Sequence, residues 1–581
     1  MSPSELVDRL LETHHALLKR ELPRLSEALK ANPGALQAPF EQLKGELEVH
    51  LRKEETVLFP AIRALENGED TGELCRCASA QMEREHDVIG SLEMAARNAS
   101  RGHPLEDQVL AVLDDLAVHA ALEDRELFPA VRALAAPQRE ERIRETRGCC
   151  SVCVADVPAA VNERDRAVWL DKECPTHGRT SQLLSNEPAY WSELDRFYFK
   201  VNEKSYPQRD FIVRMTETCN LQCPICLAAA NTRDTPDLDL SGLEQLLSER
   251  RGIKVDLMAA EPTLREDLEQ WIRRVKETGN IAALHTNGIK LAGKRYAKRL
   301  ADAGVDEVFL QFDGFDEDAN VALRGQKLLK QRLKAVENLR ELGIATSLIV
   351  VIGRGLNEAE ISNTLRFALQ PENSHIREVF FMGLRMLGSA RTATEFGDMQ
   401  LMPDEIIGLL CEQEPDIKRS DIRRFNKLYF SLLSELKVKK CLYVQHYMVA
   451  RDGQGGMVPA ADFVNLPALE AVCDDYAERL QKHPLQARIR LLPELARGLT
   501  RKSARMAFDL LKLQRLLSTG MNLGEVPDRF LLLGFITACD PHNFDAQVAI
   551  NCGKGELSVD GGFVDNGAQA NVDREFRDLQ K

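Results

Sequence analysis

The sequence predicts a multidomain α and α/β protein: an N-terminal up-down four-helix bundle, a small cysteine-rich metal knuckle, a partial (β/α)6 barrel and an α+β C-terminal region. Three observations lead to this prediction. A histidine-led helical segment occurs twice near the N-terminus, short apolar runs alternate with helical stretches in the centre, and several of the 14 cysteines stand in short-spaced groups. We expect domains at 1–145, 146–204, 205–400 and 401–581.

Composition sets the broad class. The chain has 581 residues, of which 44% are apolar and 29% charged, enough for roughly three or four domains. A net charge of −14 argues against general nucleic-acid binding, which relies on a basic face. The N-terminus opens directly into an amphipathic helical pattern, and no uncharged run of about 18 apolar residues occurs, so we expect a cytoplasmic protein. In a reducing compartment, grouped cysteines favour metal sites over disulfides.

The bundle is predicted from an internal repeat. Residues 50–65 read HLRKEETVLFPAIRAL, and residues 119–134 read HAALEDRELFPAVRAL. His15 in ETHHALL and His86 in EREHDVI extend the repeat toward the N-terminus of each copy. Two helix–loop–helix units, about 1–66 and 72–134, therefore form the four helices.

Each copy of the repeat places a histidine and a glutamate on one helical face. His50 and Glu54 are four residues apart, as are His119 and Glu123, so each pair can reach a common ion. Imidazole and carboxylate ligands that converge in a bundle core suit a pair of iron ions. With one histidine from each remaining helix, the predicted ligands are His15, His50, Glu54, His86, His119 and Glu123.

Two kinds of di-iron bundle offer comparable patterns. Glu12 and Glu83 stand three residues before His15 and His86, like the Glu-x-x-His of ferritin-like bundles. The His-x-x-x-Glu pairs of the other two helices fit a second pattern better, and residues 1 to about 145 resemble a hemerythrin-like (HHE cation-binding) domain. The resemblance implies a di-iron site at the six residues and leaves both O2 binding and sensing open.

The central segment predicts a parallel sheet, because strand-like runs alternate with amphipathic helical stretches such as 327–343. Ligands of such sheets bind at the carboxyl ends of the strands. The predicted strands are FIVRM (211–215), VDLM (255–258), IAALH (281–285), VFLQF (308–312), SLIVVI (347–352) and VFFMG (379–383).

Three cysteines follow the first of these strands. Cys219, Cys223 and Cys226 stand in TCNLQCPIC. A structural zinc site wants four ligands, whereas a cubane 4Fe–4S cluster can take three thiolates and leave one iron open. The spacing Cys-x-x-x-Cys-x-x-Cys after the first strand resembles the radical S-adenosylmethionine (SAM) superfamily, which has a TIM-type barrel. The resemblance implies that the open iron binds the amino and carboxylate groups of SAM, which is then cleaved to methionine and a 5′-deoxyadenosyl radical.

Later segments extend this resemblance. MAAEPTLREDL (258–268) stands where the family has Gly-Gly-Glu-Pro, and HTNG (285–288), LQFDG (310–314) and ALRG (322–325) match further segments. Two alanines replace the family's glycines and restrict the backbone, at a cost of up to about 1 kcal/mol where the geometry demands positive φ. Glu261 matches the acid that pairs with the SAM ammonium group. The implied cofactor-binding residues are Ala259, Ala260, Glu261, Pro262, Gln311 and Asp313.

A second cysteine group lies between bundle and barrel. Cys150, Cys153 and Cys174, with His177 or Cys149 as a fourth ligand, have the spacing of a small metal knuckle that holds zinc or rubredoxin-like iron. Together with the barrel motifs, this group resembles the branch of tetraether lipid synthase and the dihydropterin methyltransferase-like radical SAM proteins. The tail at 543–566 echoes that branch, except that Val564 replaces a cysteine. The candidates for further iron–sulfur ligands are Cys441, Cys473, Cys539 and Cys552.

One C-terminal stretch stands out by charge. Residues 488–515 carry eight basic and two acidic residues, with leucines that could form an apolar stripe. Such a helix either lies on an anionic membrane surface or docks on the barrel with a solvated basic face.

Two functions follow from these patterns. The first is a radical SAM enzyme that activates a C–H bond for carbon–carbon bond formation or methylation of a lipid or pterin-like small molecule, with ferredoxin or flavodoxin as electron donor. The second is a sensor of O2, nitric oxide or iron, in which the barrel is only a scaffold. In the enzyme, the di-iron bundle would bind or sense O2, or protect the cluster from it.

Overall fold

The computed structural model describes residues 2–67, 69, 71–135, 141–202, 206–233, 235–392, 394–498, 500, 522–557, 563–564 and 566–579. The chain divides into two compact units, 1–140 and 141–581. None of the helices among these residues is both long enough and apolar enough to cross a bilayer.

The first unit is the predicted four-helix bundle. One apolar cluster, which includes Leu22, Phe40 and Leu113, fills one end, and a second, which includes Leu10 and Phe128, fills the other. The predicted metal ligands lie between these clusters along each helix. The helical segments are Pro3–Leu10, Leu11–His15, Ala16–Ala31, Gln37–Lys53, Glu54–Leu58, Phe59–Glu66, Gly72–Ser100, Glu106–Leu122, Glu123–Leu127 and Phe128–Leu134.

Three of the four helices contain a π-helical turn, in Leu11–His15, Glu54–Leu58 and Glu123–Leu127. The first turn ends on His15, and the other two begin on Glu54 and Glu123. A π turn inserts one residue into a helix and so rotates the side chains that follow; such turns are frequent at functional sites. The distortion therefore falls where the bundle presents its predicted ligands.

The second unit begins with a four-stranded antiparallel sheet in the order β1-β2-β3-β4. The helix Pro188–Val201 follows it and packs its apolar face into the main core. The strands are β1 Glu141–Cys149, β2 Asp156–Arg164, β3 Ala167–Cys174 and β4 Gly178–Ser185.

The rest of the second unit is built on one eleven-stranded sheet, in the order β12-β11-β13-β10-β9-β8-β7-β6-β5-β14-β15. Its strands are β5 Asp210–Arg214, β6 Lys254–Met258, β7 Ile281–Thr286, β8 Glu307–Gln311, β9 Ala345–Ile352, β10 Ile376–Gly383, β11 Val444–Arg451, β12 Met457–Pro459, β13 Phe530–Ile536, β14 Gly555–Leu557 and β15 Phe563–Val564.

The six central strands β5 to β10 are parallel and neighbour one another in chain order. They coincide with the six predicted strands, so the partial (β/α)6 arrangement is confirmed. In the described part of this unit, the helices after β5 are Leu240–Glu249, Leu268–Glu277, Lys294–Ala303, Glu317–Arg324, Leu329–Glu341, Glu360–Leu369, Pro403–Gln413, Arg419–Glu435, Ala460–Phe463, Leu466–Lys482, Pro484–Glu494, Ala546–Ala549 and Gly567–Leu579.

The C-terminal region extends the same sheet at both edges. Strand β13 pairs parallel to β10, and β14 pairs parallel to β5. The expected border at 400/401 therefore separates no structural layer, because strands from both sides of it share one hydrogen-bonded sheet. The expected border at 145 falls inside β1, whose pairing with β2 already begins at Glu141.

The basic stretch at 488–515 is described only in part. Its first residues belong to the helix Pro484–Glu494 and the turn Leu495–Gly498. Residues 499 and 501–515 lie outside the described residues, so the membrane-surface interpretation stays a prediction.

Candidate active site and metal centres

The three cysteines of the predicted cluster lie on the loop that leaves β5, at the carboxyl edge of the parallel sheet. Asn231, in the left-handed region at φ 63°, closes this loop. Its side-chain oxygen accepts the Cys219 N–H at 2.9 Å, and its side-chain nitrogen donates to the carbonyls of Cys219 and Leu221 at 3.1 Å each. One polar side chain thus fixes the backbone around the first cysteine.

The surroundings of the cysteines suit a cluster better than a single ion. The backbone N–H of Leu221 donates to the Cys219 sulfur at 3.4 Å, and that of Ala230 donates to the Cys226 sulfur at 3.4 Å. Such N–H···S bonds are typical of iron–sulfur sites and tune their potential. Within the described residues, the three thiols belong to no group of ligands that all lie within 4.8 Å of one another, as ligands of one ion would.

Burial makes two of these thiols, Cys219 and Cys223, reluctant to ionise without a cation beside them. It raises the pKa of Cys219 to about 11 and also raises that of Cys223, where Arg324 opposes the shift. A bound metal supplies the missing positive charge, so loading the site and ionising the thiols are coupled.

The alanine loop after β6 has the backbone conformation that favours glycine. Ala259 has φ 74° and Ala260 has φ 41°, both in the left-handed region. A side chain there costs roughly 1–2 kcal/mol per residue. The loop is held in this form because the next residue, Glu261, donates its N–H to the Thr218 carbonyl beside the first cysteine at 3.1 Å.

Glu261 is 1% exposed and its carboxylate joins two strand ends. One oxygen accepts the N–H and hydroxyl of Thr263 and the hydroxyl of Thr286, at 3.2, 2.5 and 2.7 Å. The other oxygen accepts only the Asn287 N–H, at 2.8 Å. Burial raises the pKa of Glu261. The second oxygen therefore keeps acceptor capacity for a bound cation.

Asp313, at φ 59° just beyond β8, is fully buried and organises the opposite side of the rim. Its carboxylate accepts two bonds from Arg324, at 2.7 and 3.0 Å, and pairs with Arg332 at 3.2 Å. It also accepts the side chain of Gln311 at 2.6 Å and the N–H of Val351 at 3.1 Å. Although burial opposes it, the two arginines hold the pKa of Asp313 below its usual range.

These residues surround a cavity of about 230 Å³ at the carboxyl edge. Asp313 and Pro262 support this cavity from behind: Asp313 through Arg324, and Pro262 as the first residue of the buried turn Pro262–Leu264. The sequence-predicted residues that line the cavity are Cys219, Cys223, Cys226, Ala259, Ala260, Glu261 and Gln311.

Sequence reasoning gave no role to three other cavity residues. Arg324 stands in the ALRG segment and His285 in HTNG, so motif matching pointed to both places without a function for the side chains. Arg385 belongs to no such segment, and only its position after β10 reveals it. A polar residue at or just past the end of a parallel strand is the signal that would have found His285 and Arg385, whereas Arg324 ends the helix Glu317–Arg324.

The cysteine-rich knuckle is a compact four-ligand group. Cys150, Cys153, Cys174 and His177 place their ligand atoms within 4.8 Å of one another. His177 is therefore the fourth member rather than Cys149, whose sulfur instead donates to the Pro541 carbonyl at 3.5 Å. The N–H groups of Thr176 and His177 lower the pKa of Cys174 to about 6. Three cysteines and one histidine suit structural zinc.

The bundle brings its six predicted ligands into two overlapping groups that share both glutamates. One group joins His15 and His119 to the shared pair, and the other joins His50 and His86. The His50 ring nitrogen lies 3.0 Å from one Glu54 oxygen, and that of His15 lies 3.5 Å from the other. Two carboxylates between two pairs of imidazoles match a two-ion site with carboxylate bridges.

The buried polar atoms of this site fit metal ions. Both oxygens of Glu54 and of Glu123 are buried with no hydrogen-bond partner, as are the Nε2 atoms of His15 and His119. Burial and the nearby Glu123 raise the pKa of Glu54 to about 7. Buried carboxylates without hydrogen bonds are costly, and cations would remove that cost.

Three of the four histidines are oriented by a carboxylate on the other ring nitrogen. His15 meets Glu55 at 2.8 Å, and His50 meets Glu85 at 3.1 Å. His86 meets Asp124 at 2.9 Å. Such outer partners fix the tautomer so that the inner nitrogen faces the metal.

The ferritin-like alternative does not match this geometry. Glu12 is exposed, and Glu83 pairs with Arg132 at 2.5 Å. Neither belongs to the buried ligand groups, so the His-x-x-x-Glu interpretation describes the site.

The remaining candidate cysteines separate into two places. Burial raises the pKa of Cys441 to about 12, with Cys552 adding to the shift, and Cys539 responds to both of these thiols. Cys441, Cys539 and Cys552 are thus neighbours. Cys473 lies apart on the helix Leu466–Lys482, where burial raises its pKa and Ser431 opposes the shift.

Comparisons with known families agree with this geometry. Residues 213–368 match the model of the radical SAM superfamily, and residues 6–131 match the hemerythrin HHE cation binding domain. The chain therefore contains a radical SAM domain and an N-terminal hemerythrin HHE domain. Residues 142–186, which hold the knuckle, match the HMPTM N-terminal zinc ribbon domain.

Individual relatives are more distant. A 7,8-dihydro-6-hydroxymethylpterin dimethyltransferase of Methanocaldococcus jannaschii is 24% identical over 70% of this chain and 90% of its own length. A probable GTP 3′,8-cyclase of Pyrococcus abyssi is 31% identical to this chain. The matched segment covers 28% of this chain and 53% of that relative. The structure of Streptococcus suis SuiB bound to its precursor peptide SuiA is 18% identical, covering 38% of this chain and 50% of SuiB at a TM-score of 0.31.

The HHE domain yields a prediction on iron content. Glu54→Ala removes a carboxylate shared by both ligand groups, so we expect loss of both ions, measured as iron per chain after anaerobic purification. Glu12→Ala is the matched control and should retain iron, because that side chain is exposed. Equal iron in both variants would contradict the assignment.

The alanine loop of the radical SAM domain yields a prediction on stability. Ala259→Gly and Ala260→Gly should each raise the free energy of unfolding by about 0.5–1 kcal/mol, because relief of the left-handed strain exceeds the entropy gained by the unfolded chain. Urea unfolding measures the change. Ala297→Gly, inside the helix Lys294–Ala303, is the control and should destabilise by about 1 kcal/mol. A loss of stability at position 259 or 260 would refute the strain.

Proposed function

We propose that the protein reductively cleaves SAM and uses the resulting radical to activate a C–H bond. When bound, a 4Fe–4S cluster supplies the electron that splits SAM into methionine and a 5′-deoxyadenosyl radical. The three cysteines Cys219, Cys223 and Cys226 would hold that cluster. The observation that carries the proposal is the three-cysteine loop at the rim of the cavity, with backbone N–H donors on the sulfurs of Cys219 and Cys226.

Two charged side chains of the cavity suit the two charged groups of SAM. Glu261 has an oxygen that accepts only one backbone N–H, and we assign it to the ammonium group. Arg324 uses Nε and one terminal nitrogen on Asp313 and also interacts with the Cys223 thiol; because it lines the cavity, we assign it to the carboxylate group. An arginine fixed by a bidentate carboxylate is already oriented, so little side-chain entropy is lost on binding.

The other predicted residues shape the same site. Ala259 and Ala260 bring the backbone of their loop to the cavity wall. Gln311 lines the cavity and donates to Asp313, so its orientation is fixed by the ion pair behind it. Pro262 and Asp313 act as supports.

For the outcome of the reaction we propose methylation or carbon–carbon bond formation on a pterin-like or lipid molecule. The pterin-like choice is supported by the dimethyltransferase relative, whose similarity covers most of both chains. The lipid choice is supported by the apolar wall of the cavity, formed by side chains such as Phe309, Ile349 and Met382. A ferredoxin or flavodoxin would supply the electron.

The other metal centres receive separate roles. The zinc ribbon at Cys150, Cys153, Cys174 and His177 would be structural, although rubredoxin-like iron fits the same ligands. Cys441, Cys539 and Cys552 are proposed as ligands of an additional iron–sulfur cluster, supported by their proximity in the second unit. The di-iron site would bind or sense O2, or remove it before it damages the cubane cluster.

A sensor with an inactive barrel is the competing function. It is favoured by one observation, the strained alanines where glycine suits the backbone. The two functions differ in whether SAM is cleaved.

The deciding experiment measures 5′-deoxyadenosine from reconstituted protein with dithionite and SAM under anaerobic conditions. We expect release by the wild type and none by Cys223→Ala. Arg324→Gln should weaken SAM binding at least tenfold, because a carboxylate loses its charged partner. Arg354→Gln, at a surface ion pair with Glu405, is the matched control and should bind SAM normally. No product from a fully loaded wild type would refute the enzyme function.

A further inference from the structure

Arg385 is a buried cation whose hydrogen-bonding capacity is largely unused. It lies in the loop after β10, lines the cavity and is 2% exposed. Its Nε donates to one oxygen of Asp540 at 2.9 Å. Among the described residues, its Nη1 donates only to the sulfur of Met402, a weak acceptor, at 3.6 Å. Its Nη2 lies 2.8 Å from the same Asp540 oxygen but has no well-formed hydrogen bond.

This arrangement is unusual, because a buried guanidinium has five N–H donors and normally finds acceptors for them. One carboxylate oxygen and one thioether do not satisfy five donors. A bound acceptor on the cavity side would complete the set.

The charge of Arg385 is only partly neutralised by Asp540. The second oxygen of Asp540 accepts the backbone N–H groups of His542 and Asn543, at 2.8 and 3.1 Å. Lys172 is buried next to the same turn and donates to the carbonyls of Pro541 and His542, at 2.7 and 2.8 Å. One acid therefore faces two buried cations and the donors of its own turn.

The pKa of the neighbouring His542 is lowered in part by the same positive charges. Burial lowers the pKa of His542, and Lys172, Arg385 and Arg391 lower it further, against the opposing effect of Asp540. The turn at 540–543 thus holds Arg385 in a positive environment.

The position of Arg385 separates it from the proposed SAM site. The cysteines, Glu261 and Gln311 follow or end strands β5, β6 and β8, on one side of the rim. The ends of β9 and β10 form the other side, where Val351, Met382 and Leu384 are apolar. Arg385 is the cation at the end of this apolar wall.

We propose that Arg385 binds an anionic group, a phosphate or a carboxylate, at one end of an otherwise apolar substrate. This inference rests on the proposed function, because Glu261 and Arg324 are taken by SAM. Charge-assisted bonds to phosphate or carboxylate are those for which the flat guanidinium is best suited. The apolar wall would hold the remainder of the molecule.

The test uses the reconstituted full chain with SAM present and reductant absent, and n-octyl phosphate, octanoate and n-octanol as probes in calorimetric titrations. We expect one of the two anions to bind at least tenfold more tightly than octanol. The tighter anion identifies phosphate or carboxylate as the preferred group. Equal affinities for the anions and the alcohol, or no binding of any probe, would overturn the proposal without need of a variant.

Variants at position 385 test whether the preference for an anion depends on the Arg385 side chain. Arg385→Met should weaken anion binding at least tenfold and leave octanol unchanged, whereas Arg385→Lys should restore part of the preference for the anion. Arg354→Met is the surface control and should behave as the wild type. If Arg385→Met does not fold, Arg385→Lys decides: affinity for the anion identical to that of the wild type would contradict a role for the guanidinium fork.

The outcome is independent of the SAM cleavage assay. Anion binding that depends on Arg385 in protein that releases no 5′-deoxyadenosine would refute the proposed function and keep the anion site. Normal release of 5′-deoxyadenosine without preference for an anion would support the proposed function and refute the anion site.

Discussion

The rim of the radical SAM domain depends on the buried ion pair between Asp313 and Arg324. The carboxylate connects the end of β8 to the helix Glu317–Arg324 and, through the Val351 N–H, to β9. It also fixes the arginine against the cavity, beside Cys223. Removal of Asp313 would leave the buried Arg324 and Arg332 without their shared carboxylate, at a cost of about 3–5 kcal/mol. The same pair thus supports the fold and orients a group of the site.

The two units prepare for metals in different ways. In the bundle, Glu54 and Glu123 are buried without hydrogen-bond partners, so the folded chain carries a cost that cations would remove. In the barrel loop, the sulfurs of Cys219 and Cys226 already accept backbone N–H bonds, and burial raises the pKa of Cys219 and Cys223, so that a cation favours their ionisation. The first site is preorganised in helices with π turns, and the second by a loop that Asn231 closes. Both sites reserve their ligand atoms for a metal.

Local patterns predicted most of the architecture. The duplicated His-x-x-x-Glu segments predicted the bundle and the side chains that converge inside it, because helical spacing alone sets which side chains share a face. The six apolar runs predicted β5 to β10, because strands of a parallel sheet covered on both faces are apolar along most of their length. The joining of β13 to β10 was not predictable, because pairing between strands so far apart in sequence leaves no local pattern. The choice of His177 over Cys149 was likewise not predictable. It depends on the fold, which directs the Cys149 thiol to the Pro541 carbonyl and away from the other ligands.

The residues that sequence reasoning missed act through distant partners. Asp313 orients Arg324, and Asp540, which lies in a remote part of the chain, orients Arg385. The alanines at 259 and 260 were recognised as departures, but only the structure shows that both have positive φ. Motif matching therefore located the site, whereas its electrostatics required the fold.

The central claim is that the loop of Cys219, Cys223 and Cys226 leaves one iron of a cubane cluster open for SAM, which Glu261 and Arg324 orient. Electron–nuclear double resonance of the reduced cluster with SAM labelled by ¹⁵N in the amino group and ¹⁷O in the carboxylate tests it most directly. The account predicts hyperfine coupling from both labels in the wild type. A fully reduced cluster that shows coupling from neither label would contradict it.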